Sequence, residues 1–153
     1  MTYFDHDYKQ FPELRIAERE VFQFSSPHKQ ITEDFDAQVI RVHDGDTITL
    51  RTSFRDFDFP LRFLDINSPE LSEPKGEESK VWLSSLILDK MVHIKVDPRK
   101  IVGKYGRLLG VVFYNGINVN ETMVMLGYAK QFQHKDEGKI PNLIKVFREG
   151  AIA

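Results

Sequence analysis

The chain contains no cysteine among its 153 residues. A disulfide framework and a thiolate metal site are therefore excluded, while the absence is compatible with an oxidising or a reducing compartment. The five histidines are scattered along the sequence and show no i, i+4 pair of the kind that binds zinc.

Long hydrophobic runs are also missing, and no segment approaches the length of a membrane-spanning helix. The first residues are polar and lack the basic segment and apolar stretch of a secretory signal. We therefore expect a cytoplasmic protein without membrane contact, and secretion from a processed precursor stays open.

The sequence has no excess of positive charge, since 21 basic residues stand against 23 acidic ones. Any binding of nucleic acid must therefore come from a local basic patch. The content of 41% hydrophobic and 12% aromatic residues is sufficient for the core of one domain. We divide the chain into an N-terminal extension of unknown role (residues 1–33) and one domain (residues 34–153).

The N-terminal extension carries little information about function. Pro12 at a first turn predicts a short helix over residues 12–20, which the Ser-Ser-Pro segment at residues 25–27 ends. The extension could add a surface for a substrate or a partner, or it could be a packing arm or a disordered tail. We favour the arm or tail, because chain termini are usually of that kind.

Alternating apolar residues begin near residue 36 and predict the strands of the domain. Trp82 belongs to the apolar face of a predicted helix and is expected in the core. A helix after the third of five strands is the order of an oligonucleotide-binding (OB) fold. The predicted fold class is α+β, mainly β: a five-stranded OB-fold barrel with two to three helices. We predict strands at residues 37–43, 47–53, 58–66, 92–96 and 108–114, and helices at 77–88, at 120–126 and after Pro141.

The domain is organised around residues 42–47, which read VHDGDT. Gly45 suits the positive φ of a sharp turn, so this stretch predicts two strands joined by a tight turn. Asp-Gly is the commonest hairpin signal, and alone it indicates only an acidic turn. In a meander of three strands, however, the first and third run in the same direction. The end of the third strand, residues 65–68, is therefore expected at the same rim as Asp44 and Asp46.

Residues at this rim could supply the parts of a metal-assisted phosphodiesterase. Asp46 and residues 67–68 offer oxygen ligands for a hard cation, and Glu70 can orient or deprotonate a water. Arg62 and Arg107 can hold the charge that builds on phosphorus.

Each of these residues also has an ordinary interpretation. Arg62 could pair with Asp58 or Asp65, Glu70 could be a surface acid, and Arg107 could belong to a solvated basic loop. Strict alternation also points Arg62 and Asn67 in opposite directions. A bend or bulge near Asp65 is therefore required to bring them together.

Four blocks of sequence resemble the staphylococcal nuclease (thermonuclease) family. They are VHDGDT at residues 42–47, LRFLDINSPE at 61–70, KYGRLLG at 104–110, and VNE at 119–121 with GYAK at 127–130. The blocks stand in order over residues 36–130, and together they are far more specific than DGDT alone. The resemblance implies a barrel domain that acts as a calcium-dependent phosphodiesterase. Its substrates would be DNA and RNA, preferably single-stranded, and its products would carry 3′-phosphates.

By position, the resemblance also implies a role for each site residue. Asp46, Asn67 and the carbonyl of Ser68 would be metal ligands, and Asp44 would be an acid behind them. The three catalytic residues would be a general base and two phosphate-binding arginines, and two further residues would contact a neighbouring phosphate. The catalytic residues are Glu70, Arg62 and Arg107, and the substrate-binding residues are Lys104 and Tyr105.

Two departures from the family pattern affect the expected function. Asn67 stands where the best-studied members have aspartate, so we expect weaker calcium binding or tolerance of another divalent ion. The aromatic residues that those members place after the second helix are missing, and Phe132 is the nearest substitute. The alternative function is a catalytically weak or inactive module that binds nucleic acid or protein. In either case we expect a monomer.

Overall fold

Alternating apolar residues form the strands of a small closed barrel. The structure is a computed structural model, and it describes residues 7–14, 28–97, 102 and 106–131. The elements in chain order are β1 (Phe35–Asp44), β2 (Thr47–Arg51), β3 (Phe59–Phe63), β4 (Ile66–Asn67), α1 (Pro74–Ile87), β5 (Met91–Lys95), β6 (Leu108–Tyr114), β7 (Ile117–Asn118), α2 (Val119–Met125) and β8 (Lys130–Gln131).

Five strands form the barrel, in the order β3-β2-β1-β5-β6. A parallel pairing of β3 with β6, in which Leu61 lies opposite Leu108, closes it. This closure is typical of the OB fold. The predicted fold class is therefore confirmed, with two helices in the part of the chain that the structure describes. The helix expected after Pro141 lies outside that part.

Most predicted elements differ from the observed ones by one or two residues at an end, and two differ by three residues. The first helix begins at Pro74, three residues before the predicted start, because proline fits the first turn of a helix. The third strand stops at Phe63 and does not continue to Ile66. Asp65 has a φ of +60° and turns the chain before β4.

The helix predicted from Pro12 is not formed in residues 12–14. The Glu13 N–H donates to the carbonyl oxygen of Gly106 at 3.2 Å, and the Leu14 N–H donates to Oε1 of Gln30 at 2.6 Å. Both N–H groups are thus bonded to distant parts of the chain. Residues 15–20 of this predicted helix lie outside the described residues.

The core fills the barrel and extends under α1. Phe59, Leu61 and Phe63 of β3 and Leu83 of α1 are among its fully buried side chains. Trp82, which was expected in the core, is partly buried and packs against its edge, and its ring stacks on Tyr128 with centroids 5.4 Å apart. Neither of the two described helices is long and apolar enough to cross a membrane.

Asn120 is a fully buried polar residue that connects α2 to the barrel. Its Oδ1 accepts a hydrogen bond from the Val112 N–H at 3.1 Å. Its Nδ2 donates to the carbonyl oxygens of Leu64 at 3.1 Å and Gly110 at 3.3 Å. Since Leu64 immediately precedes the turn at Asp65, Asn120 helps to fix the chain just before the rim.

We predict that Asn120→Ala lowers the free energy of unfolding by about 2–4 kcal/mol, because the Val112 N–H and the Leu64 carbonyl lose this buried partner. Urea denaturation would measure the change. Asn115→Gly is the control: Asn115 is exposed and has a φ of +55°, which glycine adopts freely. A similar loss in both variants would contradict the role of Asn120.

Candidate active site

The carboxylate of Asp46 joins three parts of the barrel rim. Its Oδ2 accepts hydrogen bonds from the Ser68 N–H at 2.9 Å and from the Ser68 hydroxyl at 3.1 Å. Oδ2 also lies 3.5 Å from a guanidinium nitrogen of Arg62. Its backbone carbonyl accepts from the Phe63 N–H at 2.8 Å. Residues that are up to 22 positions apart in sequence thus meet at one carboxylate, as the meander predicts.

Thr47 belongs to the same cluster and is not among the predicted site residues. Its hydroxyl donates to Oδ1 of Asp46 at 3.0 Å, so both carboxylate oxygens have a donor. The signal in the sequence was the hydroxyl that ends the block at residues 42–47. A threonine in a strand is so common that its position alone did not indicate this contact.

Asp44 and Asp46 titrate in opposite directions. Burial, assisted by the neighbouring acid Asp46, raises the pKa of Asp44 to about 6. Burial acts in the same sense on Asp46, but the charge of Arg62 and the hydrogen bonds from Ser68 outweigh it. The pKa of Asp46 therefore lies below its ordinary value. Near neutral pH, Asp46 is the carboxylate that stays ionised most firmly.

The bend required by the sequence pattern is present at Asp65. It allows one guanidinium nitrogen of Arg62 to donate to the carbonyl oxygens of Phe63 and Ile66, each at 2.9 Å. The other terminal nitrogen donates to Oδ1 of Asn67 at 2.8 Å. Arg62 and Asn67 are thus brought together in spite of their alternation along the chain.

The ordinary interpretation of Arg62 as a cross-strand partner does not hold for Asp58. Asp58 pairs with Arg51 through two hydrogen bonds of 2.8 and 2.9 Å. Arg62 is directed instead to the rim and the Asp46 carboxylate.

Gly45 serves the rim in a different way from that predicted. Positive φ angles among the described glycines occur at Gly106, Gly116 and Gly127, and not at Gly45. A Cβ atom on Gly45 would instead lie 2.6 Å from Cβ of Ser68. Glycine is therefore needed here because the turn approaches the loop after β4 closely, and this approach brings Ser68 within reach of Asp46.

Arg107 and Glu70 lie within electrostatic range of Arg62. Burial is the largest cause that lowers the pKa of Arg62, and the positive charge of Arg107 adds to it. Asp46, Asp44 and Glu70 act in the opposite direction. The predicted groups therefore share one electrostatic environment. Lys104 and Tyr105 lie outside the described residues.

The three predicted metal ligands are hard oxygen donors: the Asp46 carboxylate, the Asn67 amide oxygen and the Ser68 carbonyl. Such donors suit Ca²⁺ or Mg²⁺ in chemistry. The negative charge of this ligand set is small, because the described residues contain no group of three acidic or histidine side chains placed to hold a metal. Oxygens of Asp46 and Asn67 also already accept hydrogen bonds, so a cation would compete with these donors.

Comparison with known proteins gives a family match that covers part of the rim. The family model described as "Staphylococcal nuclease homologue" matches residues 60–150, which is more than half of the chain. This range includes Arg62, Asn67, Ser68, Glu70 and Arg107, whereas the acids at residues 44 and 46 precede it.

Three relatives carry nuclease names. A protein of Haemophilus influenzae described as an uncharacterized endonuclease is 37% identical over 63% of this chain and 54% of its own length. One of Escherichia coli O157:H7 with the same description is 36% identical over 71% of this chain and 67% of its own length. A Shigella flexneri protein named micrococcal nuclease is 33% identical over 66% of this chain and 60% of its own length. The match thus spans between about half and two thirds of these relatives.

The raised pKa of Asp44 predicts the pH dependence of stability. With a folded pKa of about 6 against an ordinary value of 3.8, folded Asp44 binds its proton more tightly than the unfolded chain does. Its protonation therefore stabilises the fold most at low pH, and this contribution is lost as the pH rises through about 6.

We predict that Asp44→Asn, which resembles the protonated acid, raises the melting temperature at pH 7.5 and removes part of its fall between pH 4 and 7. Thermal melts in excess chelator would measure this. Asp56→Asn, an exposed acid of the loop between β2 and β3, is the control. If Asp44→Asn instead lowered the melting temperature at neutral pH, the ionised Asp44 carboxylate would not be destabilising the fold, and the prediction would be wrong.

Proposed function

Because the chain belongs to the staphylococcal nuclease homologue family, we propose that it is a metal-dependent phosphodiesterase that cleaves DNA and RNA. The observation that carries this proposal is the meeting of Arg62, Asp46, Ser68 and Asn67 at one rim, with Arg107 and Glu70 in range. The finer expectations are preference for single strands, endonucleolytic cleavage, 3′-phosphate products, a monomeric state and a location in the cytoplasm.

Two arginines are proposed to bind the phosphate that is cleaved. Hydrogen bonds to backbone carbonyls and to Asn67 hold the Arg62 side chain, so its position is fixed before a substrate arrives. Arg107 adds a second permanent positive charge. Together they would stabilise the additional negative charge of the pentacoordinate phosphorus.

Glu70 is proposed to orient the attacking water. It lies at an exposed position in the loop between β4 and α1, so solvent reaches its side chain. Its own N–H donates to Oε1 of Glu73 at 3.3 Å. In the reaction the water oxygen bonds to phosphorus, and one water proton passes to the Glu70 carboxylate. The bond between phosphorus and the 5′ oxygen breaks, and that oxygen takes a proton from solvent. The products are a 3′-phosphate and a 5′-hydroxyl.

A calcium ion held by Asp46, Asn67 and the Ser68 carbonyl would supply positive charge to the phosphate oxygens. Asp44 is proposed to support these ligands from behind, through the hydrogen bond of 3.0 Å that its Oδ1 accepts from the Asp46 N–H. Lys104 and Tyr105 are proposed to contact a neighbouring phosphate.

Cleavage of a fluorescent single-stranded DNA tests the proposal, with calcium, with magnesium and with chelator. We expect cleavage with calcium that chelator abolishes. Glu70→Gln should lower kcat by about 10²–10⁴-fold, because proton transfer to a positioned carboxylate is lost. Glu78→Gln, an exposed acid of α1, is the matched control and should leave kcat unchanged. A wild-type kcat in Glu70→Gln would contradict the assignment of Glu70 as the general base.

The hydrogen bond that Asn67 accepts from Arg62 favours a second candidate function. The amide oxygen of Asn67 carries no charge that would draw a cation away from this partner. A rim with weak cation binding would leave a module that binds nucleic acid without cleaving it. Binding of the strand with no cleavage in any divalent ion would support this alternative.

We predict that Asn67→Asp tightens calcium binding by about tenfold or more, since one additional unit charge about 4 Å from a doubly charged cation is worth about 2 kcal/mol even in water. Isothermal titration calorimetry in the absence of nucleic acid would measure the affinity. Asn118→Asp is unsuitable as a control because Asn118 caps α2, so the exposed Asn115→Asp is used. Equal calcium affinity in Asn67→Asp and the parent would remove residue 67 from the ligand set.

A further inference from the structure

The N-terminal segment (residues 7–14) packs against the barrel, although it precedes the blocks that resemble the family and the range that the family model matches. Glu13 and Leu14 are only 2% and 3% exposed. An N-terminal addition that merely trailed from the domain would not bury an acid in this way, because a buried charge requires a partner. The segment is therefore built into the fold.

The partner of Glu13 is Arg55, in the loop between β2 and β3. Their side chains form an ion pair of 2.5 Å in which both are fully buried. The Arg55 guanidinium also lies over the ring of Phe59, 4.5 Å from its centroid, and the second Glu13 oxygen accepts from the Ile31 N–H at 3.3 Å. Separation of this pair would leave a buried charge unpaired, which is costly. The ion pair therefore holds the Glu13 side chain at one position.

From this anchor the segment reaches the residue directly before Arg107. The Glu13 N–H donates to the carbonyl oxygen of Gly106. Gly106 has a φ of +72°, and a Cβ atom on it would lie 2.9 Å from Cβ of Phe11 and 3.2 Å from the backbone carbonyl oxygen of Glu13. The backbone of Gly106 is thus in close contact with the segment at Phe11 and at Glu13.

This contact constrains the backbone at Arg107. The carbonyl of Gly106 and the N–H of Arg107 belong to one planar peptide unit, so a bond that orients the first also orients the second. One residue later, Leu108 enters the ladder with Leu61. Arg107 is therefore fixed from both sides. In the same ladder Leu109 lies opposite Arg62, and alternate residues share a face, so Arg107 emerges on the face of Arg62.

We propose that the N-terminal segment is a positioning element for Arg107: through Glu13 and Phe11 it holds Gly106, and so directs the Arg107 side chain to the phosphate beside Arg62. This role rests on the proposed function, since it concerns the phosphate contact of Arg107. It also gives the N-terminal extension a function that the sequence did not indicate.

The test is the salt dependence of binding to a labelled single-stranded DNA, measured by anisotropy in excess chelator so that no cleavage occurs. Each phosphate contact contributes about 0.7 to the slope of log affinity against log salt for a single strand. Arg107→Ala should reduce the slope by about this amount. Glu13→Gln should reduce it equally, and the double variant should show no further reduction, because both changes remove the same contact.

Two additional variants keep the test decisive. Glu33→Gln loses the same charge from an exposed position of the extension and should retain the parent slope. Glu13→Gln leaves Arg55 without its buried partner and can unfold the chain, so Phe11→Gly is measured in parallel. Phe11 is 39% exposed, and its removal costs less stability while loosening the contact at Gly106.

The outcomes separate the two proposals. A parent slope in Arg107→Ala overturns the phosphate contact of the proposed function, and the positioning role with it. A reduced slope in Arg107→Ala, with parent slopes in folded Glu13→Gln and Phe11→Gly, overturns the positioning role alone. A further reduction in the double variant also overturns it, because the segment would then act on a contact other than that of Arg107.

Discussion

The hydrogen bonds between the Asp46 carboxylate and Ser68 are the interaction on which the rim depends. They tie the turn after β1 to the loop after β4, and the same oxygen lies beside Arg62. Two further features make this possible. Gly45 leaves room for Ser68, and Asp65 turns the chain through a left-handed conformation that few side chains adopt. The rim is thus assembled by a close approach and a bend, both of which lie outside the regular strands.

The Asp46 carboxylate also explains how acidic side chains and a guanidinium group lie side by side, partly buried, at the rim. Arg62 is partly neutralised by Asp46 and is held by two carbonyls, while Asp44 accepts a proton more readily because it is buried behind them. A site of this kind carries a small net charge before any ligand binds. Its ability to recruit a cation therefore depends on how easily Asp46 and Asn67 release the hydrogen bonds that they now accept, and less on a preformed ring of carboxylates.

Much of the fold could be predicted because period-two alternation and short loops determine a meander, and the strand at residues 108–114 matches β6. The convergence of Asp46, Arg62 and Ser68 followed from strand direction. Other features depend on tertiary contacts that leave no local pattern. The reason for Gly45 and the burial of Glu13 against Arg55 are of this kind. The alternation required a bend near Asp65, but it did not indicate the left-handed φ of +60° that forms it. The Thr47 donor was hidden for a different reason, since its residue type is ordinary in strands.

The parallel pairing of β3 with β6 has a consequence for folding. β6 follows β3 by about 45 residues and is the strand that delivers Arg107, so this pairing joins distant parts of the chain and is slow to form by the usual dependence on contact order. A chain that has emerged from the ribosome only as far as β5 already carries Asp46, Arg62 and Glu70, but it lacks the strand beside Arg62. The complete set of charges therefore exists only after the barrel has closed.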